Sequence, residues 1–149
     1  MKNGDVVVHI RRSALVRFSP EQMFDLVNDV EAYPKRFPWC VGAAASRLDE
    51  QTIEARLDLR FAGFHQSFTT RNTGQRPHSL HVLLVEGPLR SMEGTWTFTA
   101  LGSDGCKVAL ELDFEPSSRL GGLAMKLGFQ ALASRMVDDF CAEARRAYR

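Results

Sequence analysis

The sequence lacks the features that mark several common classes of protein. Its 149 residues contain no run near the ~18 apolar residues that identify a membrane-spanning helix. The first residues, Met1–Asp5, are too polar and too short to begin a signal peptide. A net charge of +1, from 19 basic and 18 acidic side chains, gives no overall attraction for DNA. These absences predict a cytoplasmic protein with no DNA partner.

Cysteine is scarce, and the three cysteines, Cys40, Cys106 and Cys141, lie far apart. No CxxC or CxxH spacing supports a zinc or redox site. Their apolar or small neighbours favour buried free thiols in a reducing compartment. Among the four histidines, only His78 and His81 are close, and their odd spacing on a strand puts them on opposite faces. No metal site is therefore predicted.

Catalytic motifs are missing as well. The sequence contains no GxSxG elbow, HExxH motif, P-loop or GxGxxG motif. Glu93 and Glu111 lie on the outward phases of predicted strands, where a solvated carboxylate is the better interpretation than a general acid or base. The residues alone therefore predict no catalytic group.

What the sequence does contain is a series of strand patterns followed by one long helix. A first strand over Val6–Phe18 precedes the helix signals Ser19-Pro20-Glu21-Gln22, which combine an N-cap, a first-turn proline and a capping box. Two small helices are expected here, with Pro34 ending the second. Six further strand-like stretches run from about Gly42 to Phe114, with the short turns of an antiparallel meander.

The last segment, Arg119–Tyr148, has the pattern of a long helix. Its second half is amphipathic, whereas its first half is apolar nearly all round and contains Gly121, Gly122 and Gly128. Glycine costs about 1 kcal/mol relative to alanine inside a helix, so these glycines indicate close backbone approach or a movable segment. The stripe expected to face the sheet comprises Met125, Phe129, Leu132, Met136, Phe140, Ala144 and Ala147.

These patterns predict an α+β fold in one domain, residues 1–149, with a curved antiparallel sheet of about seven strands around the long helix. One helix covers only part of such a sheet, so an apolar space is expected between the layers. Trp96 is expected to face it, with room beside Gly94. The predicted lining residues are Tyr33, Phe37, Trp39, Phe61, Phe68, Trp96, Phe98, Phe114, Leu123, Leu127 and Phe129. An ordinary hydrophobic core is the alternative interpretation.

Four segments together resemble a known family. They are Tyr33–Cys40 (YPKRFPWC), Gly63–Arg71 (GFHQSFTTR), Gly87–Phe98 (GPLRSMEGTWTF) and Val137–Ala144 (VDDFCAEA). They are similar to segments of the coenzyme Q-binding, START-like family, which includes the ribosome association toxin and is often labelled polyketide cyclase/dehydrase. The sequence departs from the family pattern at Glu86, at Pro116-Ser117-Ser118 and at Glu143, where arginine is usual.

The resemblance implies a helix-grip (START-like, Bet v 1-like) fold with a cavity suited to a polyprenyl quinone. The leading hypothesis is non-catalytic binding of ubiquinone or a related lipid in support of respiration, with no cofactor and no metal. The apolar helix start, Leu120–Phe129, would then act as a gate peripheral to the inner membrane. A homodimer contact is the alternative role for that surface.

Two further hypotheses stay open. One is toxin-like binding to the large ribosomal subunit, which would block subunit association. It requires the fold to assemble a basic face from Arg11, Arg12, Lys35, Arg36 and Arg71. The other is a cyclase/dehydrase-type enzyme with Tyr33 or His65 as acid or base, an idea that rests on fold analogy.

Overall fold

The computed structural model describes residues 7–117 and 122–148, and these form an antiparallel sheet and helices on its inner face. The strands are β1 (Val8–Val16), β2 (Cys40–Arg47), β3 (Thr52–Phe61), β4 (Phe64–Gln75), β5 (Ser79–Glu86), β6 (Leu89–Leu101) and β7 (Gly105–Pro116). The helices are α1 (Pro20–Asn28), a 3₁₀ turn (Val30–Ala32), α2 (Tyr33–Arg36) and α3 (Gly122–Ala147). The predicted α+β helix-grip architecture is confirmed.

The sheet has the strand order β1-β7-β6-β5-β4-β3-β2, with every neighbouring pair antiparallel. The first strand joins the last, where Val8 lies opposite Phe114 and Val16 lies opposite Cys106. Helix α3 crosses the inner face and packs closely on β1 and β7 but loosely on β3 and β4. This asymmetry leaves space between α3 and the middle strands.

Helix α1 begins where the sequence predicts, and α2 does not end where it predicts. The Gln22 N–H donates to Ser19 Oγ at 3.1 Å, and Gln22 Oε1 accepts from the Ser19 N–H at 3.0 Å. Pro34, expected to end a helix, instead lies in the first turn of α2. Its missing N–H would have no helical partner there, so the position is favourable. The helix ends at Arg36, and the backbone of the following residue, Phe37, is extended.

The predicted β3–β4 hairpin turns on Ala62 and Gly63. Both have positive φ angles, 49° and 87°, as a two-residue turn between twisted strands requires. β4 then continues to Gln75, beyond the predicted end at Asn72. Two predicted boundaries, Val6 and Arg119, lie outside the described residues.

A cluster of aromatic rings lies where α2 meets the second half of α3. Phe140 of α3 has its ring centroid 4.6 Å from that of Phe37 and 5.3 Å from that of Tyr33, and Phe37 stacks on Trp39 at 4.7 Å. The predicted helix stripe faces the sheet except for Ala147, which is exposed in the last turn. The chain therefore closes one end of its interior with aromatic rings.

Candidate ligand-binding site

An apolar cavity of about 90 Å³ lies between α3 and the inner face of the sheet. Its walls come from the end of α1, the 3₁₀ turn, α2, strands β3 to β7, and α3. Polar side chains enter the wall only at Tyr33, Thr70 and Asn72, and no ionised side chain lines it among the described residues. Such a lining favours an apolar ligand.

Four of the predicted lining residues do border the cavity: Tyr33, Phe68, Trp96 and Phe129. Phe68 of β4 stacks on Phe129 of α3 with centroids 5.3 Å apart, which joins the sheet to the helix. Trp96 lies edge-on to Phe140 at 5.2 Å. The structure brings these side chains together, and a ligand-binding role for them stays a prediction.

Five other predicted residues lie away from the cavity wall. Phe37, Trp39, Phe98 and Phe114 are buried in the surrounding core. Phe61 is half-buried at the end of β3, and the guanidinium of Arg135 lies 5.4 Å from its ring centroid. A strand residue on the inward phase thus does not always reach the cavity, because neighbouring rings can lie between its side chain and the cavity.

The expectation that Leu123 and Leu127 line the cavity is wrong. They are 66% and 54% exposed. The helix turns Met125 and Phe129 toward the sheet, and residues 123 and 127, one turn apart, share the opposite side. Because this half of the helix is apolar nearly all round, its sequence does not distinguish the two sides.

Gly94 was expected to leave space beside Trp96, and Gly128 was expected to allow close backbone approach or movement of the helix. Gly94 borders the cavity beside Trp96, but a Cβ there would lie 2.6 Å from Leu112 Cδ1, so a leucine fills the direction in which a side chain would point. A Cβ at Gly128 would lie 2.7 Å from Cδ2 of the Phe64 ring. The close approach predicted for the helix glycines is therefore confirmed at Gly128.

A buried polar pair lies in the cavity wall on β4. Thr70 and Asn72 are both buried, and the Thr70 hydroxyl donates to Asn72 Oδ1 at 2.8 Å. Sequence reasoning did not single them out, although they continue the inward phase of Phe64 and Phe68. A buried polar group left without a partner costs about 1–3 kcal/mol. A polar residue on an inward strand phase therefore indicates a hydrogen-bond partner or a site, and this signal identifies the pair.

The groups named as candidate acids or bases are not arranged for catalysis. The Tyr33 hydroxyl donates to the carbonyl oxygen of Val27, and burial raises its pKa far above the usual range. His65 is exposed on the outward face of β4. Burial also raises the pKa of Cys40 and of Cys106 to about 11, which keeps both thiols neutral.

Four further residues that were considered as site candidates from the sequence lie on the outer surface: His78, His81, Glu93 and Glu111. Glu93 and Glu111 are exposed as predicted, and Glu93 Oε2 lies 2.6 Å from His81 Nε2. His78 lies in the turn before β5. Over residues 7–117 and 122–148, no three His, Cys, Asp or Glu side chains group as a metal site would require. Within the same ranges, no helix has the length and apolar character needed to span a membrane.

The basic face required by the ribosome hypothesis is not assembled. Three of its members are in ion pairs: Arg36–Glu143 at 2.8 Å, Arg11–Glu111 at 3.6 Å and Arg71–Glu54 at 3.8 Å. Arg11 lies on the edge strand β1, and Arg71 lies on β4, four strand spacings or about 19 Å away. These cations therefore do not form one continuous basic face, because three are paired with carboxylates and Arg11 lies far from Arg71.

Glu143, one of the departures from the family pattern, is a buried anion. It is 6% exposed and accepts hydrogen bonds from Arg146 and from Arg36 Nη1, the latter at 2.8 Å. These bonds, led by that from Arg146, hold the pKa of Glu143 below its usual value. Arg36 belongs to α2, so the carboxylate ties α2 to the second half of α3.

A protein-family model described as polyketide cyclase/dehydrase and lipid transport matches residues 16–141. The chain belongs to this family. The match runs from the end of β1 into the last turns of α3, so it includes every wall of the cavity. The resemblance carried by the four sequence segments is thereby confirmed.

Within the polyketide cyclase/dehydrase and lipid transport family, two curated relatives bear on function. The ribosome association toxin RatA of Vibrio cholerae is 42% identical over 93% of this chain and 96% of the relative. The mitochondrial coenzyme Q-binding protein coq10 of Schizosaccharomyces pombe is 26% identical over 91% of this chain and 85% of the relative. The family thus contains members with two different kinds of named role.

A solved member of the same fold is the Zhui aromatase/cyclase from Streptomyces sp. R1128. It superposes with a TM-score of 0.83 over 97% of both chains, at 18% sequence identity. At that identity, the likeness shows a common fold and no more.

Proposed function

We propose that this protein binds an apolar small molecule in the cavity under α3 without converting it chemically, and that the ligand is a polyprenyl quinone such as ubiquinone. The observation that carries the proposal is a cavity wall that is apolar except at Tyr33, Thr70 and Asn72. Each buried CH₂ group contributes about 0.8 kcal/mol, so an isoprenoid tail supplies affinity without a charged anchor. The coenzyme Q-binding relative supports the choice of a quinone.

The state of the reactive side chains supports binding rather than catalysis. The Tyr33 hydroxyl is committed to a backbone carbonyl, and the thiols of Cys40 and Cys106 are neutral. General acid–base chemistry requires a titrating group within reach of the substrate. Among the described residues, the cavity wall supplies no such group with a pKa near neutrality.

The size of the cavity implies that the protein opens when it binds. At about 90 Å³ it is smaller than the ~150 Å³ apolar cavity that accepts a benzene molecule. A quinone ring with a tail therefore requires the walls to move apart. The loose packing of α3 on β3 and β4 favours movement there. Met92 and Met136 in the wall add side chains that change shape readily.

The outer side of the first half of α3 is the proposed contact with a lipid surface. Leu123 and Leu127 are exposed and flank the cation of Lys126. Apolar side chains beside a basic one favour a membrane interface that contains anionic lipids. A lipid ligand would then exchange where the helix is least firmly held.

The position of the two tryptophans provides a direct binding test. Trp96 lines the cavity, whereas Trp39 is buried outside it. Trp39→Phe leaves Trp96 as the reporter, and Trp96→Phe leaves Trp39. Titration with decylubiquinone should give saturable quenching of fluorescence in the first variant and little in the second. Equal, non-saturating quenching in both would contradict the proposal, as would repeated absence of quinone from lipid extracts of the purified protein.

Binding to the large ribosomal subunit is the second candidate function, favoured by the 42% identity to the ribosome association toxin of Vibrio cholerae. Recognition would depend on dispersed surface contacts, because the predicted basic residues do not form one face. Co-sedimentation with large subunits over a salt series tests it. Binding at low salt that weakens as salt rises is expected, and no binding at low salt would remove this candidate.

A further inference from the structure

The amide of Asn72 is an unusual group to find in the cavity wall. Asn72 is 6% exposed, and its Oδ1 accepts the hydroxyl hydrogen of Thr70 at 2.8 Å. This bond orients the amide, and Nδ2 makes no hydrogen bond to a side chain or backbone group of the described residues. The other hydroxyl in the wall, that of Tyr33, is already bound to Val27. The cavity therefore presents two N–H donors from Asn72.

The surroundings of Asn72 determine which chemical group can bind there. Its neighbours across the sheet are Ile53 on β3 and Val82 on β5, both apolar. The wall contains no cation among the described residues, so a carboxylate would be buried without a counter-charge, which is strongly unfavourable. A neutral oxygen acceptor pairs with the amide at no such cost. A ketone, quinone or ester carbonyl has this character.

We propose that Asn72, oriented by Thr70, donates a hydrogen bond to a carbonyl oxygen of the ligand. This contact makes the cavity selective for an apolar molecule with a neutral carbonyl head over a pure hydrocarbon or a fatty-acid carboxylate. The inference rests on the proposed function, because it requires that the cavity bind a ligand. It adds the group that is recognised and the residue that recognises it.

The position of Asn72 along β4 also sets the direction of the ligand. Phe68, four residues earlier and therefore about 13 Å away along the strand, stacks on Phe129. The head group lies at Asn72, below α1. The tail runs toward Phe68 and Phe129 and leaves near the exposed start of α3.

The test compares two probes of similar tail length, decylubiquinone and decylbenzene, in the full chain. The parent protein is expected to bind the quinone more tightly. Asn72→Leu keeps the number and branching of the side-chain heavy atoms and removes the donors, so it should weaken quinone binding about tenfold, the effect of one hydrogen bond, and leave decylbenzene binding unchanged or tighter. Thr70→Val should weaken quinone binding less, because it only releases the orientation of Asn72.

Val82→Ala is the matched control, since it changes the wall beside Asn72 without changing a polar group. It should weaken both probes alike. If Asn72→Leu lowers the affinity for both probes equally, or for neither, Asn72 has no role in recognition although the cavity binds ligands. If the parent binds neither probe, the proposed function fails, and this inference fails with it.

A second measurement does not depend on any variant folding. A hydrogen bond to a quinone carbonyl lowers its infrared stretching frequency. Decylubiquinone bound to the parent protein should show one carbonyl band shifted below its position in a hydrocarbon solvent. A bound quinone with both bands unshifted would overturn the inference.

Discussion

The two halves of α3 have the same backbone conformation but different relations to the sheet. In the second half, Phe140 packs against the rings of Tyr33, Phe37, Trp39 and Trp96. In the first half, Leu123 and Leu127 are exposed, and the main ring contacts are those of Phe129 with Phe68 and Phe114. The second half of the helix is thus held by more ring contacts than the first half.

The two halves of α3 can therefore serve different purposes: the second half stabilises the fold, and the first half can move to admit a ligand. Segments with few buried contacts open at a lower free-energy cost than the core does. A cavity of about 90 Å³ under a firmly packed helix would stay closed to a quinone. Phe129 borders the cavity from the first half and Phe140 from the second, so the cavity can widen at Phe129 while the aromatic cluster around Phe140 keeps the fold intact.

The largest expected effect comes from breaking the aromatic cluster. Phe140→Ala removes a fully buried ring with four aromatic neighbours and should lower the free energy of unfolding by about 3–5 kcal/mol. Phe129→Ala, the matched change in the first half, should cost less because Phe129 has two aromatic neighbours, Phe68 and Phe114, whereas Phe140 has four. Urea unfolding measures both, and an equal or larger loss for Phe129→Ala would show that the halves are held alike.

The second effect concerns the buried carboxylate of Glu143. Glu143→Gln leaves the mostly buried Arg36 without its close anion and should cost about 3 kcal/mol, since breaking a buried ion pair leaves an uncompensated charge. Asp138→Asn is the control because Asp138 is exposed on the same half of α3. A loss no larger than that of the control would mean that the pair does not anchor the second half.

Glu143 also predicts a dependence of stability on pH. Arg146 and Arg36 hold its pKa below the usual value in the folded protein, and Asp29 lies 4.0 Å from Arg36 on the other side. The folded state therefore binds this proton later than the unfolded state does, and the contribution of Glu143 is complete above a pH of about 4.3. It is lost as the pH falls toward the lowered folded pKa. Unfolding curves should show a smaller acid-induced loss of stability in Glu143→Gln than in the parent.

Most of the fold could be predicted from local patterns. In β3 the apolar residues alternate, and the turn at Ala62-Gly63 follows directly, so the β3–β4 hairpin follows from neighbouring residues. The Ser19–Gln22 capping box is equally local. A close approach at Gly128 could be predicted, because glycine in a helix needs a compensating contact. The residue that approaches it, Phe64, could not be predicted.

The cavity was less predictable because its wall depends on long-range packing. Trp96 and Phe98 share a strand phase, yet only Trp96 reaches the cavity. The pairing of Glu143 with Arg36 joins residues 107 positions apart, which no local pattern reveals. Thr70 and Asn72 did have a signal, since each is a polar residue on an inward strand phase. The lining residue predicted on that strand was the aromatic Phe68.

A third and smaller effect tests the contact that holds the first half. Gly128→Ala gains about 1 kcal/mol of helix propensity. The new Cβ would lie 2.7 Å from the Phe64 ring, and such overpacking costs about 1–3 kcal/mol. A net destabilisation of about 1 kcal/mol is therefore expected. The exposed site Ala131, changed to glycine, calibrates helix propensity alone. A stabilised Gly128→Ala variant would show that the Phe64 ring moves away from the new Cβ at little cost in free energy.

The smallest effect on stability is expected on the outer side of the first half. Leu123 and Leu127 are 66% and 54% exposed, so changing both to serine should alter the free energy of unfolding by no more than about 0.5 kcal/mol. If this side contacts a lipid surface, the same double change should reduce co-sedimentation with vesicles of neutral and anionic phospholipids. Leu15→Ser is the control, since Leu15 is 68% exposed on strand β1.

The outcome assigns the exposed leucines to one surface or another. Loss of vesicle binding in the double variant alone, from a parent that is monomeric in sedimentation velocity, supports the membrane contact. A parent dimer that becomes a monomer in the double variant would mean that a second copy covers these leucines. In that case, the loose packing of α3 on β3 and β4 would be compensated across the dimer interface, and the contrast between its two halves would hold for the isolated chain only.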